Sequence, residues 1–166
     1  SYIAPYEFEK LDNVQSTTRF GGMENAGCIF YDEDALNGTK SAESLIAHEI
    51  VHQWFGNSAT EKDWPHLWLS EGFATYLTNI YIEKTKGDLA FKTQLEQDRK
   101  KVVNFDKRYH HPVVDIDHQS LMDLLNPNSY QKGGWVLHML RAEIGDELFQ
   151  KCIQTYYRKY SRSNAN

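Results

Sequence analysis

The segment His48–His52, with the sequence HEIVH, is the feature that most constrains this chain. Residues four apart lie on one face of a helix with their Cβ atoms about 6 Å apart, so two histidines at this spacing can bind one metal ion. Glu49 lies one position round the helix, beside such a metal, where its carboxylate can act as a general base. A helix can also carry two histidines for packing or solvation, so the pentapeptide alone leaves both interpretations open.

A tetrahedral zinc site that keeps an open position needs a third protein ligand. Glu71 follows His52 after 18 intervening residues, within LWLSEGFATYL, and is expected early in the next helix. A buried glutamate in so apolar a helix needs a partner, which a metal would supply; the alternative is an exposed glutamate on the polar face. The sequence therefore predicts one Zn²⁺ bound by His48, His52 and Glu71. Thr75 could support Glu71 or be an ordinary helical threonine, and His66 fits a structural or capping role better than a ligand role.

Strand patterns precede helix patterns along the chain. Residues 11–31 combine β-prone segments with the glycine-rich turn GGMENAG. The helix that carries HEIVH is expected to begin near Ser41, a plausible N-cap with Ser44 as the weaker alternative, and to end at Gly56 and Asn57. Pro112 excludes a long helix in the stretch before residue 120. Further helices are predicted at about residues 66–86, 89–103, 120–125, 129–144 and 147–160.

The composition is that of a globular chain about one domain long, 166 residues with 40% hydrophobic content. A formal net charge of −5 argues against nucleic-acid binding through a basic surface. No stretch approaches the roughly 18 apolar residues of a membrane span, and the N-terminus lacks a signal-peptide pattern. Cys28 and Cys152 are interpreted as small buried hydrophobic residues. The compartment stays open between cytoplasm and periplasm.

Three segments occur together in a diagnostic order. GGMENAG (21–27) resembles a Gly-x-Met-Glu-Asn motif, HEIVHQWFGN with LWLSEGFATYL resembles a zinc signature, and NSYQKGGWVLHMLR (128–141) resembles a downstream tyrosine segment. On these motifs, which span most of residues 11–145, the chain resembles the M1 zinc aminopeptidases, a gluzincin family that includes aminopeptidase N and leukotriene A4 hydrolase.

The resemblance implies a fold and a set of roles. The fold would be α+β, a thermolysin-like catalytic domain formed by residues 1–166, with a small N-terminal sheet followed by a mainly helical bundle. Glu24 would bind the free α-ammonium of a peptide substrate, while Gly22 and Asn25 would contact the peptide through the backbone or position the loop. Tyr130 would donate a hydrogen bond to the oxyanion. The implied product is one free N-terminal amino acid.

The family also frames what the motifs leave open. Its members carry a β-rich domain before this region and a helical domain after it, so we expect an excised catalytic domain against which those domains pack. A leukotriene A4 hydrolase-like epoxide hydrolase is an alternative function. An inactive, zinc-stabilised binding module is another, although it would not need Glu24, Glu49 and Tyr130. The preferred N-terminal side chain is not predicted.

Overall fold

A three-stranded sheet opens the chain in a computed structural model that describes residues 1–36 and 40–166, without the side chains of Lys40 and Ser41. Its strands are β1 (Asp12–Ser16), β2 (Gly22–Met23) and β3 (Cys28–Asp32), and β3 lies in the middle, parallel to β1 and antiparallel to β2. The alternation of CIFYD buries Ile29 and Tyr31 completely. The sheet therefore holds the turn between β2 and β3, which carries Glu24, against the helices.

Helices form most of the rest of the fold. The second helix is central and contacts the first, third and fourth. It is buried on every face from Leu69 to Ile80, which is why its sequence shows apolar residues all round rather than a single stripe. The helices are α1 (Lys40–His52), α2 (Trp68–Lys86), α3 (Asp88–Asp106), α4 (Gly133–Ile144) and α5 (Asp146–Tyr160), with 3₁₀ turns at Trp64–His66 and Leu121–Leu124 and a π-helical turn at Asn128–Lys132.

A second sheet joins distant parts of the chain. Its two parallel strands, β4 (Ala59–Glu61) and β5 (Ser163–Ala165), connect the segment after α1 to the last residues. The N-terminal segment packs on the same core, where the Trp54 indole N–H donates to the carbonyl of Ala4 (3.1 Å). Both ends of the described chain thus lie against the body that contains α1 and α2.

The α+β class and the order of sheet before helices are confirmed. Helix α1 ends at His52, before the predicted end at Gly56 and Asn57. Helix α3 continues to Asp106, three residues beyond its predicted end, and the predicted helix at 120–125 is a 3₁₀ turn. Ser44 lies inside α1 rather than at its cap, and the side chain of Ser41 lies outside the described residues. Neither β4 nor β5 was predicted. No helix in the described part of the chain is long and apolar enough to cross a membrane.

The prediction that both cysteines are buried is wrong. Cys152 is exposed and Cys28 is only partly buried. Helix α5 buries Phe149, Ile153 and Tyr157, which recur every four residues, and Cys152 falls beside that stripe on the solvent side.

Candidate metal centre

The contact between α1 and α2 brings the three predicted ligands together. The Nε2 atoms of His48 and His52 lie 3.1 Å apart, and Glu71 Oε2 lies 3.2 Å from the first and 3.3 Å from the second. Zinc bonds of about 2.0–2.2 Å at tetrahedral angles separate neighbouring ligand atoms by roughly 3.3–3.6 Å. The three atoms therefore form one triangular face that fits a zinc ion with an open fourth position.

The environment of His52 supports the same interpretation. Its Nδ1 donates to the carbonyl oxygen of Phe55 (2.9 Å), which fixes the tautomer because a carbonyl only accepts. Neutral His52 then presents the Nε2 lone pair to the Glu71 carboxylate, and two acceptors meet in a site where His52 is 1% exposed. Only a proton or a cation between them relieves this arrangement.

The ionisation of this pair follows from its contact. Burial disfavours charge on both residues, but the hydrogen bond and attraction between them outweigh it. The pKa of His52 is raised to about 9, and the pKa of Glu71 is held well below its usual range. For His48, burial dominates over the Glu71 contact and lowers the pKa. The donor set of two imidazoles and one carboxylate is one that catalytic zinc sites use.

Glu49 lies between the ligands and strand β2. Its side chain is buried, and an added Cβ on Gly22 would come within 2.4 Å of the Glu49 carboxyl group. Glycine at this position thus leaves the space that the carboxylate occupies. Burial raises the pKa of Glu49 to about 7, against the attraction of His52. A carboxylate with a pKa near neutrality is suited to take up and return a proton.

Tyr130 contacts Glu71, the third predicted ligand. The π-helical turn before α4 places its hydroxyl where it donates to Glu71 Oε1 (2.9 Å), and its ring stacks near that of His48 with centroids 6.1 Å apart. Burial, followed by the charge of Glu71, raises the pKa of Tyr130. The phenol is therefore a neutral hydrogen-bond donor beside the ligands.

The loop that carries Glu24 is fixed by two side chains that sequence reasoning missed. The amide N–H groups of Gln53 and Asn57 donate to the Glu24 carbonyl (3.0 and 2.6 Å), and Gln53 accepts from the Gly27 N–H (2.9 Å). The only feature of the sequence that marked Gln53 and Asn57 was that both fall within the motif HEIVHQWFGN. The Glu24 side chain lines the cleft in front of the ligands, whereas Asn25 is exposed and closes the turn through its carbonyl, which accepts from the Cys28 N–H.

The cleft in front of these residues has a volume of about 730 Å³. The apolar side chains of the lining are Phe20, Met23, Leu45, Trp64, Leu67, Leu121, Met122 and Leu125.

Two residues that the sequence singled out lie outside the ligand cluster. Thr75 makes no hydrogen bond to Glu71 among the described residues and instead faces Gly134 in the α2–α4 contact. His66 lies in the 3₁₀ turn before α2, outside the ligand cluster.

Two helix-borne histidines with a glutamate between them, and a second glutamate from the next helix that could be a third ligand, are the arrangement typical of gluzincin-type metallopeptidases. The chain belongs to peptidase family M1: residues 1–166 match the Peptidase family M1 domain. The resemblance inferred from the motifs is therefore confirmed.

Known proteins similar to this chain are longer than it is. Aminopeptidase M1-B of Oryza sativa subsp. japonica is 36% identical over 99% of this chain and 20% of that protein. The structure of yeast LTA4 hydrolase in complex with bestatin matches with a TM-score of 0.91 and 26% identity, over 99% of this chain and 28% of that chain. An M1 zinc metallopeptidase from Deinococcus radiodurans shares the fold, with a TM-score of 0.82 and 24% identity over 99% of this chain and 35% of that one. The chain thus spans about a fifth of the length of the curated relative.

Proposed function

We propose that the protein containing this chain is a zinc aminopeptidase that removes the N-terminal residue of peptides. The observation that carries the proposal is the triangle of His48, His52 and Glu71 ligand atoms, 3.1–3.3 Å apart, with Glu49 and Tyr130 at its edges. Membership of family M1 and the aminopeptidase names of the relatives support it.

Glu49 and Tyr130 have separate roles in the proposed reaction. Zinc, when bound, supplies Lewis-acid polarisation of the substrate carbonyl and of water. Glu49 takes a proton from the attacking water and delivers it to the leaving amine, as a group with a pKa near 7 can do in both directions. Tyr130 turns its hydroxyl from Glu71 to the oxyanion and donates a hydrogen bond there.

Glu24 gives the reaction its exopeptidase character. Its carboxylate lines the cleft while its backbone is held by Gln53 and Asn57. A carboxylate fixed near the ligands pairs with the free α-ammonium and places the first peptide bond at the metal. Peptides with a free N-terminus are therefore the proposed substrates, and we propose that further domains of the same protein pack against this chain and complete the cleft.

The test uses the full-length protein and leucine p-nitroanilide. We expect release of nitroaniline, its loss after chelation of the metal, and its return on addition of Zn²⁺. N-acetyl-leucine p-nitroanilide, which lacks the α-ammonium, should not be cleaved. Full turnover by chelated protein, or equal turnover of the acetylated substrate, would contradict the proposal.

A Glu49→Gln variant separates an enzyme from a zinc-stabilised binding module. It should bind Zn²⁺ at the wild-type stoichiometry and lose about 10²–10⁴-fold in turnover, because the general base is absent. Wild-type protein that binds zinc stoichiometrically and cleaves nothing would indicate the binding module.

Epoxide hydrolysis is the second candidate, favoured by the TM-score of 0.91 to yeast LTA4 hydrolase. Incubation of the same protein with a lipid epoxide in parallel with the peptide substrate compares the two activities. Hydrolysis of the epoxide alone would replace the aminopeptidase proposal.

A further inference from the structure

Glu61 places a carboxylate on the wall of the cleft. It is the last residue of β4, is partly buried, and lines the cleft together with the metal-ligand cluster. The hydroxyl of Ser70 donates to its Oε2 (2.5 Å). Ser70 is itself buried and immediately precedes Glu71. Its hydrogen bond therefore orients the Glu61 carboxylate from the residue next to a proposed metal ligand.

The negative charge of Glu61 is not neutralised by a cation of the described chain. Within residues 1–36 and 40–166, no lysine or arginine with a described side chain lies at ion-pair distance from it. Arg19 is the one arginine or lysine in the described lining of the cleft, and it makes no ion pair with Glu61. A partly buried carboxylate held by one hydroxyl retains capacity for a charged partner.

Trp64 adds an aromatic surface beside this carboxylate. It is 55% exposed and lines both the cleft and the adjoining groove, as Glu61 does. An indole ring and a carboxylate that line the same cleft can together bind a guanidinium or ammonium group, which packs on the ring while its N–H groups donate to the carboxylate.

The position of Glu61 relative to Glu24 identifies the part of the substrate that would meet it. Gly56, just beyond α1, lies between His52 and Ser70: an added Cβ would be 2.9 Å from His52 Nδ1 and 3.5 Å from Ser70 Oγ. The next residue, Asn57, holds the carbonyl of Glu24. The contacts that hold Glu24 and those that hold Glu61 therefore meet at residues 56 and 57, and both carboxylates line the same cleft. A peptide whose α-ammonium pairs with Glu24 would have its first side chain in this part of the cleft.

We propose that Glu61, with Trp64, binds the cationic side chain of the substrate's first residue, so that the enzyme prefers N-terminal arginine or lysine to neutral residues of the same shape. This inference rests on the proposed aminopeptidase function. It assigns the α-ammonium to Glu24 and the side-chain cation to Glu61.

The experiment compares arginine p-nitroanilide with citrulline p-nitroanilide on the full-length protein. Citrulline keeps the shape of arginine and loses its charge, so the ratio of the two kcat/KM values isolates charge recognition. We expect a ratio of at least about 10 for the wild type, the size of one charge-assisted hydrogen bond. Glu61→Gln should bring the ratio close to one, and Glu61→Asp should retain part of it.

Asp63→Asn is the matched control. Asp63 is an exposed carboxylate two residues further along. It lines the adjoining groove but not the cleft, so this variant should keep the wild-type ratio. A wild-type ratio near one overturns the inference, and so does a wild-type ratio that persists in Glu61→Gln, including when both substrates slow equally. Failure of the wild type to cleave any aminoacyl p-nitroanilide contradicts the proposed function itself and is distinct from those results.

Discussion

At the scale of single residues, Glu71 makes two kinds of contact at once. Its Oε2 faces the two imidazoles at 3.2 and 3.3 Å, and its Oε1 accepts the hydroxyl of Tyr130. The same carboxylate would therefore complete the proposed ligand set and already holds the phenol beside it. Removing the phenol should affect turnover while leaving the ligand atoms in place.

Tyr130→Phe tests this separation. We expect kcat to fall about 10²–10³-fold, because one donor to the oxyanion is lost, with KM within a few-fold of wild type. The zinc content, measured by atomic emission, should stay at one per chain. Tyr81→Phe is the control, since Tyr81 also donates to a carboxylate, that of Glu43, but on the exposed side of α2. A Tyr130→Phe enzyme with wild-type kcat would remove Tyr130 from the mechanism.

Residues that act through local spacing could be predicted, and residues that act through distant partners could not. The spacing within HEIVH and the helix that follows it was enough to select His48, His52 and Glu71 as candidates. Gln53 was missed because its partners are backbone atoms 26 and 29 residues earlier in the chain, whose positions only the tertiary fold defines. Glu61 was missed for the same reason, since its proposed role depends on the contact of β4 with Ser70 in the first turn of α2.

At the scale of elements, α2 and α4 approach each other through glycines. An added Cβ on Gly72 would lie 2.9 Å from the carbonyl carbon of Gly133 and 3.2 Å from the backbone nitrogen of Gly134. These neighbours are backbone atoms and cannot rotate away. The close approach also fixes how far Tyr130, just before α4, lies from Glu71 on α2.

Gly72→Ala should therefore destabilise the protein. We expect a loss of about 1–3 kcal/mol in the free energy of unfolding, because the added methyl group overpacks the α2–α4 contact. Gly134→Ala, in the same contact, is the control: its Cβ would meet Thr75 Cγ2 at an ordinary 3.4 Å, so little stability should be lost. Thermal unfolding of both variants measures the difference. If the two variants have the same free energy of unfolding, the close approach of α2 and α4 at Gly72 does not contribute to stability.

Predictions of elements succeeded where periodicity is long and failed where it is short. Helices α2 to α5 follow from their apolar spacing and from the glycines Gly87 and Gly145, whose φ angles of 83° and 82° suit helix ends. The π-helical turn was missed because the pattern from Ser129 onward continues smoothly into α4. The turn is also bound to a distant segment, because the Asn128 amide donates to the carbonyl of His111 (2.8 Å). Strands β4 and β5 have three residues each and pair across about a hundred positions, so no local signal marks them.

At the scale of the whole molecule, long-range contacts tie the helical layers together. Arg141 on α4 is the clearest case: it is buried, its Nη1 lies 2.8 Å from Glu83 Oε2 on α2, and its Nε and Nη2 donate to both oxygens of Asp146 on α5 (2.8 and 2.9 Å). One guanidinium therefore links three helices. The Arg141 hydrogen bonds also lower the pKa of Asp146.

This ion pair gives the stability of the fold a defined pH dependence. A carboxyl group whose pKa is lower in the folded state stabilises that state above its unfolded pKa of about 3.9, and the contribution is lost as the pH falls through the folded value. Asp146→Asn should therefore lower the unfolding temperature at pH 7, and by the same amount at pH 5. Because the Asp146 side chain is 75% exposed, solvent screening limits the effect to about 1 kcal/mol or less.

Thermal unfolding of the two proteins between pH 7 and pH 2.5 should give unfolding temperatures that converge below about pH 4, and 1 M NaCl should reduce their difference at pH 7. If the difference in unfolding temperature between the two proteins instead grows as the pH falls, Asp146 does not stabilise the fold through its ion pair with Arg141.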